Sequence, residues 1–448
     1  MVSPTALRPL WAKFPSSPLS ARLARGVFWS LIGAAVARGT GVLSAIIVAR
    51  VLGISAFGEF TIIQSTVGLF GTFAGLGLGI TATKYVAELR ESDPQRCGRV
   101  ISLILLIAVA GGIVAGIALF VFADWLATRT LAAPQLAPIL RYGCALALFT
   151  ALQGVYTGAL GGFEAFKRVA QINWIGAMLG TSAMVGCTFA AGLPGAVWGS
   201  VLQVAISCVL GHIALSKEAA RCGVKMMWPS HLEDFRILWR FSLPAFLSSI
   251  LISPANWACN TLLVNQDHGF REIALVNAAG QWKNFLSFLP LMMTSVLVPI
   301  FSNLYHAGEA QTFNKLLWKN VLTNFCVCLL LALPLAILAP WILERYGSVF
   351  RQGVPIFLIT IGGTALVAVN NLFSRAMQAT GRAWLDFGFT AIWSAVLVSA
   401  CFFLIPAHKG VGLAVAHLLA AVALGAGQWI FIRRLFIRNS VSEKTAIP

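Results

Sequence analysis

The chain has 448 residues, of which 58% are hydrophobic and only 10% charged, and a formal net charge of +17. A soluble core cannot bury that much apolar surface, whereas a bilayer absorbs it, so the soluble globular classes are excluded. A charge of +17 in a soluble protein would point to nucleic acid; its distribution along this chain points to membrane lipid instead.

Residues 1–25 carry Arg8, Lys13, Arg22 and Arg25, four prolines and no acid. The apolar stretch that follows is too long for a signal peptide and lacks a small-residue cleavage site, so this segment reads as a retained basic arm lying on the cytoplasmic face. Beyond it, runs of about 20 apolar residues, each long enough to cross ~30 Å of hydrocarbon, recur to the end of the chain. Twelve are counted, at about 26–49, 58–82, 100–123, 137–160, 169–191, 194–216, 239–264, 273–300, 317–340, 352–376, 384–405 and 410–433. Each must be helical, because lipid offers no partner for an unpaired backbone group. With both termini cytoplasmic, 23 of the 32 Lys and Arg fall on the cytoplasmic side, 7 opposite, and two within spans. That is the positive-inside bias, and the anionic inner leaflet is the partner of the surplus charge.

In span one, Ser30, Ala34, Arg38, Gly41 and Ala45 make a small, polar face, and in span two Gln64, Gly68, Gly71, Gly75 and Gly79 stack on one side. Gly71-x3-Gly75-x3-Gly79 is the spacing that lets helices approach closely, with cavity lining as its second reading. Gly75-Leu76-Gly77-Leu78-Gly79 has no strand before it and is not a dinucleotide loop, and no G-x-x-x-x-G-K-[ST] occurs. Span three, Ile101 to Phe122, is almost free of polar residues and is expected to face lipid, as is span nine between Cys326 and Trp341.

Residues 217–238 form the longest hydrophilic connector, with Lys217, Arg221, Lys225 and Arg236 against Glu218, Glu233 and Asp234. It divides a six-helix lobe at 26–216 from a second at 239–434, leaving a cytoplasmic tail at 435–448. The halves repeat at a constant offset of 217: Pro138, Tyr156, Ala159, Leu160 and Gly195 match Pro355, Phe373, Ala376, Met377 and Gly412. Repeated membrane halves usually enclose a central pathway and rock against each other.

In span seven, Ser242, Ser249, Ser253, Asn256 and Asn260 form one stripe of about 60° at 100° per residue, with Pro244 and Pro254 bending the helix or freeing carbonyls. In span eight, Asn277, Gly280, Gln281, Lys283, Asn284 and Ser287 fill about 160° by the same arithmetic. These spans are the repeat partners of one and two, so the central cavity is placed between all four. A single stripe could be interhelical hydrogen bonds of about 0.6 kcal/mol each; two on paired helices, with a lysine, favour a wet cavity.

Arg38 and Lys283 are the two cations inside spans, Arg38 roughly 18 Å deep at 1.5 Å per residue. No Asp or Glu lies mid-span: Glu59, Glu88, Asp124, Glu164, Asp267 and Asp386 sit at span ends or in connectors. A buried cation without a counterion is hydrated, bonded to backbone carbonyls, or meets an anionic ligand, and both side chains suit phosphate. The candidate cavity residues are Arg38, Lys283, Asn284, Gln281, Asn277, Asn256, Asn260, Ser253 and Gln64. No catalytic or metal site is expected, and no cofactor. The nine scattered cysteines read as small buried hydrophobes.

The run Ala49-Arg50-Val51-Leu52-Gly53-Ile54-Ser55-Ala56-Phe57-Gly58 resembles the A-R-x-L-G-x-x-x-[FY]-G segment of polysaccharide-exporter flippases in the multidrug, oligosaccharidyl-lipid and polysaccharide superfamily. Gly75 to Gly79, followed by Lys84-Tyr85-Val86-Ala87-Glu88, is similar to the end of that family's second helix. In the motif, Gly53 and Gly58 are expected to turn the chain at the periplasmic surface and Arg50 to anchor the helix end. The resemblance implies a transporter of the bacterial inner membrane, not an enzyme. It would move an undecaprenyl-pyrophosphate-linked oligosaccharide (an O-antigen, capsule or exopolysaccharide repeat unit) to the outer leaflet. Its other candidate partners are anionic lipids, a polysaccharide polymerase and chain-length proteins; nucleic acid is not among them. A drug or ion antiporter of the same fold is the alternative, disfavoured by the missing intramembrane carboxylates. A membrane glycosyltransferase or polymerase would need longer outer loops.

Overall fold

A computed structural model describes residues 18–226 and 251–445, and all regular structure in these residues is helical. In chain order the helices are α1 (Pro18–Gly75), α2 (Leu78–Ser92), α3 (Pro94–Trp125), α4 (Ala137–Tyr142), α5 (Cys144–Gly162) and α6 (Phe166–Arg221). After residues 227–250 come α7 (described from 251 to 264), α8 (Gly269–His306), α9 (Ala310–Ile337), α10 (Ala339–Glu344), α11 (Val354–Ala379) and α12 (Ala383–Thr445). Ser242, Pro244 and Ser249 of the predicted stripe lie outside the described residues, as do residues 1–17 of the arm and 227–238 of the connector.

Seven helices among the described residues are long and apolar enough to cross a bilayer. Three segments, Ala35–Ser92, Phe166–Arg221 and Trp384–Arg433, run to 58, 56 and 50 residues, too long for one crossing at 1.5 Å per residue. Each is bent. The backbone leaves helical geometry at Gly53, Gly192 and Lys409, inside the connectors predicted between spans one and two, five and six, and eleven and twelve. In α6 the two legs pack back on each other, with Gly199 against Met184 and Gly180 against Gln203.

Several predicted boundaries change. Span two is not continuous, because Leu76 and Gly77 take positive φ (44° and 67°) and separate α1 from α2. Span four is broken at Gly143, between α4 and α5. Residues 18–25 of the predicted arm belong to α1, Lys217 to Arg221 of the connector to α6, and the tail is helical as far as Thr445. Short polar caps account for some ends: Pro94 opens α3 while the Asp93 side chain accepts from the Arg96 amide at 2.9 Å.

The two predicted lipid-facing spans are exposed on the outside of the bundle. α3 presents Val114, Ile117, Phe120 and Val121, and α9 presents Leu322, Leu330, Leu333 and Ile337. Of the nine cysteines, Cys97, Cys208, Cys259, Cys328 and Cys401 are buried, whereas Cys326 is exposed.

The apolar core is divided unevenly. One cluster joins both halves, bringing Val48, Phe57, Ile63 and Leu140 together with Leu263, Ile273, Tyr346 and Phe350. A second belongs to the first half alone, from Ala74 to Val224 through Ile101 and Tyr156. A third belongs to the second half alone, around Phe301, Phe313 and Phe373. Among the described residues, the lobes therefore share a core at the end carrying residues 50–58 and keep separate cores at the other.

Candidate functional site

Polar contacts reinforce that shared end. Arg50 Nε donates to the Arg345 carbonyl at 2.6 Å, and the Phe57 and Phe350 rings meet edge-on at 6.1 Å. Gly58 lies so close to α8 that a Cβ there would sit 1.8 Å from the Phe270 carbonyl oxygen. Gly53 bends the chain as expected (φ 75°). Gly58 does not turn it; it admits a second helix. Arg50 does not merely anchor its own helix end; it ties the first half to the second.

Further along the seam, α1 and α7 exchange hydrogen bonds. Trp257 Nε1 donates to Thr66 Oγ1 and Asn260 Nδ2 to Ser65 Oγ, both at 3.0 Å. Ser253 Oγ and Thr72 Oγ1 are also 3.0 Å apart. Part of the predicted polar stripe on α7 is therefore spent on interhelical bonding between the lobes.

The described cavity lies within the second lobe. It has a volume of about 430 Å³ and is walled by α7, α8, α11 and both legs of α12. Of the predicted residues, Asn256, Asn260 and Lys283 line it. Lys283 is half-buried and makes no hydrogen bond or ion pair with a described residue. Ser253 is occupied by Thr72. Gln281 Nε2 is turned to Asn277 Oδ1 at a long 3.5 Å. Asn284 is exposed. Gln64 is half-buried and Arg38 exposed, and neither is among the lining residues. α1 supplies none of the lining of this second-lobe cavity; its second leg meets α7 through Ser65, Thr66 and Thr72.

Other groups were missed from the sequence. His417, on the second leg of α12, and Asn370, Asn371 and Ser374, on α11, all line the cavity, with Trp393 beside them. Their signal was present: each is a polar residue within an apolar run, which is costly unless it faces protein or water. His417 Nδ1 lies 3.0 Å from the Leu413 carbonyl and Nε2 lies 3.0 Å from Asn256 Oδ1. Asn256 is oriented by its own Nδ2, which donates to the Ile252 carbonyl at 2.8 Å. The His417 ring also meets Trp393 edge-on, with centroids 6.5 Å apart.

Two acids of this lobe, Asp386 and Glu272, are engaged. Asp386 is buried and accepts from Ser374 Oγ at 2.6 Å and Gln378 Nε2 at 2.8 Å, while Gln428 Nε2 donates to Ser374 Oγ at 3.1 Å. Glu272 Oε2 accepts from the Gly410 amide at 3.1 Å. No group of three or more His, Cys, Asp or Glu is disposed to hold a metal ion among the described residues.

Residues 23–305, more than half of the chain, match the family described as polysaccharide biosynthesis protein. The chain belongs to this family. The matched region runs from the first helix through α8, so it includes Arg50, Gly58 and Lys283. Two curated relatives, both called EPS I polysaccharide export inner membrane protein EpsE, come from Ralstonia nicotianae and Ralstonia solanacearum. The first is 25% identical over 386 residues, spanning 83% of this chain and 84% of the relative. The second is 25% identical over 393 residues with the same coverage.

Solved structures identify the fold. An inward-facing multidrug resistance transporter of the MATE family in the MOP superfamily superposes with a TM-score of 0.75 at 15% identity, over 91% of this chain and 95% of that one. An outward-facing structure of a MATE family transporter gives 0.70 at 17% identity, over 93% and 96%. A MOP superfamily transporter from Pyrococcus furiosus, described as having a binding pocket of reverse polarity, gives 0.68 at 16% identity, over 92% and 96%. At these identities the likeness is one of fold. The chain is therefore an all-helical membrane protein of the MOP transporter fold.

Proposed function

We propose that this family member exports polysaccharide by carrying an undecaprenyl-pyrophosphate-linked oligosaccharide from the inner to the outer leaflet of the bacterial cytoplasmic membrane. Supporting this are the family match and the relatives named for polysaccharide export in the inner membrane. The observation that carries the mechanism is the division of the core: the lobes share one cluster at the end bearing Phe57 and Phe350, and each keeps its own at the other. By the positive-inside bias the shared end is periplasmic and the separated end cytoplasmic. A head group enters from the cytoplasm between the lobes, its lipid tail staying in the bilayer. Arg38 and Lys283 are the cations available to its phosphates, Arg38 from the exposed face of α1 and Lys283 from the wall of the second lobe. Breaking the seam and closing the open end would deliver the head group outside, by the rocking of paired bundles.

Purified protein reconstituted into liposomes with a fluorescent lipid-linked oligosaccharide tests this. The labelled lipid is expected to reach the opposite leaflet, as read by its accessibility to an added glycosidase. No movement, together with efflux of an organic cation driven by a proton or sodium gradient, would replace the reading with the antiporter.

A further inference from the structure

The second-lobe cavity contains a charge arrangement that is incomplete as it stands. Both ring nitrogens of His417 face acceptors: Nδ1 the Leu413 carbonyl, Nε2 the Asn256 side-chain oxygen, each at 3.0 Å. A neutral imidazole has one N–H and can satisfy only one of them. Turning the Asn256 amide over does not help, because its oxygen would then oppose the Ile252 carbonyl that its nitrogen now serves at 2.8 Å. An imidazolium donates to both. Yet Lys283 lines the same cavity. Two cations in a low-dielectric space repel unless an anion lies between them.

We propose that this cavity is an anion site that takes up a proton with its ligand, Lys283 providing the ammonium and His417 the proton-binding group. When the anion enters, the solvent proton that completes the His417 bonds no longer works against Lys283. When the anion leaves, the proton leaves with it. Among the described residues, Lys283 from α8 and His417 from α12 are the ionisable groups of the lining; α7 contributes Asn256 and Asn260, and α11 contributes amides and hydroxyls such as Asn371 and Ser374. Asp386 stands behind this wall, not in the lining, and is held by Ser374 and Gln378, while Glu272 is held by the Gly410 amide. The volume of about 430 Å³ and the flat face of Trp393 suit a small charged group. That group is a carboxylate on a sugar ring or a diphosphate. The proposal rests on the exporter reading only for the origin of the anion.

The test uses the full chain in detergent and requires no transport. Inorganic diphosphate, glucuronate and glucose are titrated by calorimetry at about pH 6 and pH 8, in buffers of differing ionisation enthalpy so that bound protons are counted. Tryptophan fluorescence is followed in parallel, with Trp393→Phe as the reference. Coupled uptake of about one proton makes the anion bind at least ~10-fold more tightly at the lower pH, since linkage is reciprocal. Binding of diphosphate assigns the anion to the lipid carrier, and binding of glucuronate assigns it to the sugar. Lys283→Gln should weaken binding at least ~10-fold at both pH values, and His417→Gln should remove the pH dependence. Asn256→Asp, which supplies a standing counterion to the ring, should abolish proton uptake even if the histidine variant does not fold. Anion binding without proton uptake, equal binding of glucose, or full affinity in Lys283→Gln overturns the proposal. An exporter lacking the site would move lipid in liposomes and fail here; a site in a protein that does not export would give the reverse.

Discussion

Gly192 and Lys409 make the same bend: φ 60°, ψ −133° at the glycine and φ 47°, ψ −124° at the lysine. They stand 217 residues apart, the offset at which the two halves of the sequence match. The likeness extends to packing. Gly195 sits against the Cys187 carbonyl and Gly412 against the Leu404 carbonyl, again at the same offset. Glu164 and Gly381 are a further pair, both at positive φ (56° and 76°). The repeat in the sequence is therefore a repeat of backbone geometry, strongest where the chain reverses direction.

Lys409 holds a conformation that normally belongs to glycine, at a strain of about 1–3 kcal/mol. Replacing it with glycine removes the strain but adds about 0.5–1 kcal/mol of unfolded-state entropy. Lys409→Gly should thus raise stability by roughly 1 kcal/mol, seen as a higher melting temperature in detergent, whereas Gly192→Ala should lower it. A lower melting temperature for Lys409→Gly would mean that its charge, not its backbone, matters there.

The seam at the shared end gives a second test. A Cβ at Gly58 would meet the Phe270 carbonyl oxygen at 1.8 Å, and that oxygen belongs to backbone with little room to retreat. Gly58→Ala should force the lobes apart at this end, and Arg50→Ala should lose a charge-assisted bond worth about 1.5–3 kcal/mol. In Phe57→Cys/Phe350→Cys protein with the native cysteines removed, a short bifunctional thiol reagent should cross-link the two positions efficiently. Adding Gly58→Ala should reduce the cross-linking several-fold. Unchanged cross-linking would show that the helices accommodate the methyl group.

Asp386 accepts two hydrogen bonds inside the second lobe, from Ser374 and Gln378. An amide in its place would set an NH₂ against one of those donors. Asp386→Asn should therefore cost about 1–3 kcal/mol, measured as a loss of thermal stability with no change in the anion-binding experiment. A shift in anion affinity instead would link this network to the cavity.

In cells, Arg38→Ala and Lys283→Ala should each abolish surface polysaccharide while protein level and membrane insertion stay normal. The positions differ in the structure: Lys283 lines the cavity, while Arg38 is exposed on α1 and outside it. Loss of export in Lys283→Ala alone would confine the substrate's anionic contact to the second lobe. Normal export in both would remove the two cations from the mechanism.

Composition and periodicity alone determined the all-helical membrane class, the repeat of 217 residues and the outward-facing character of α3 and α9. These follow from rules local in the chain: hydrocarbon admits only helices, and a polar residue inside an apolar run must face away from lipid. What only the tertiary structure decided is which polar faces meet. Ser253 and Asn260 look alike on a helical projection, yet Ser253 bonds to Thr72 across the seam while Asn260 bonds to Ser65 and also lines the cavity. His417 and Asn256 are 161 residues apart, and nothing in either segment indicates that one faces the other. Spacing along one helix fixes an angle about its own axis; the partner across the gap depends on how helices far apart in the chain pack together.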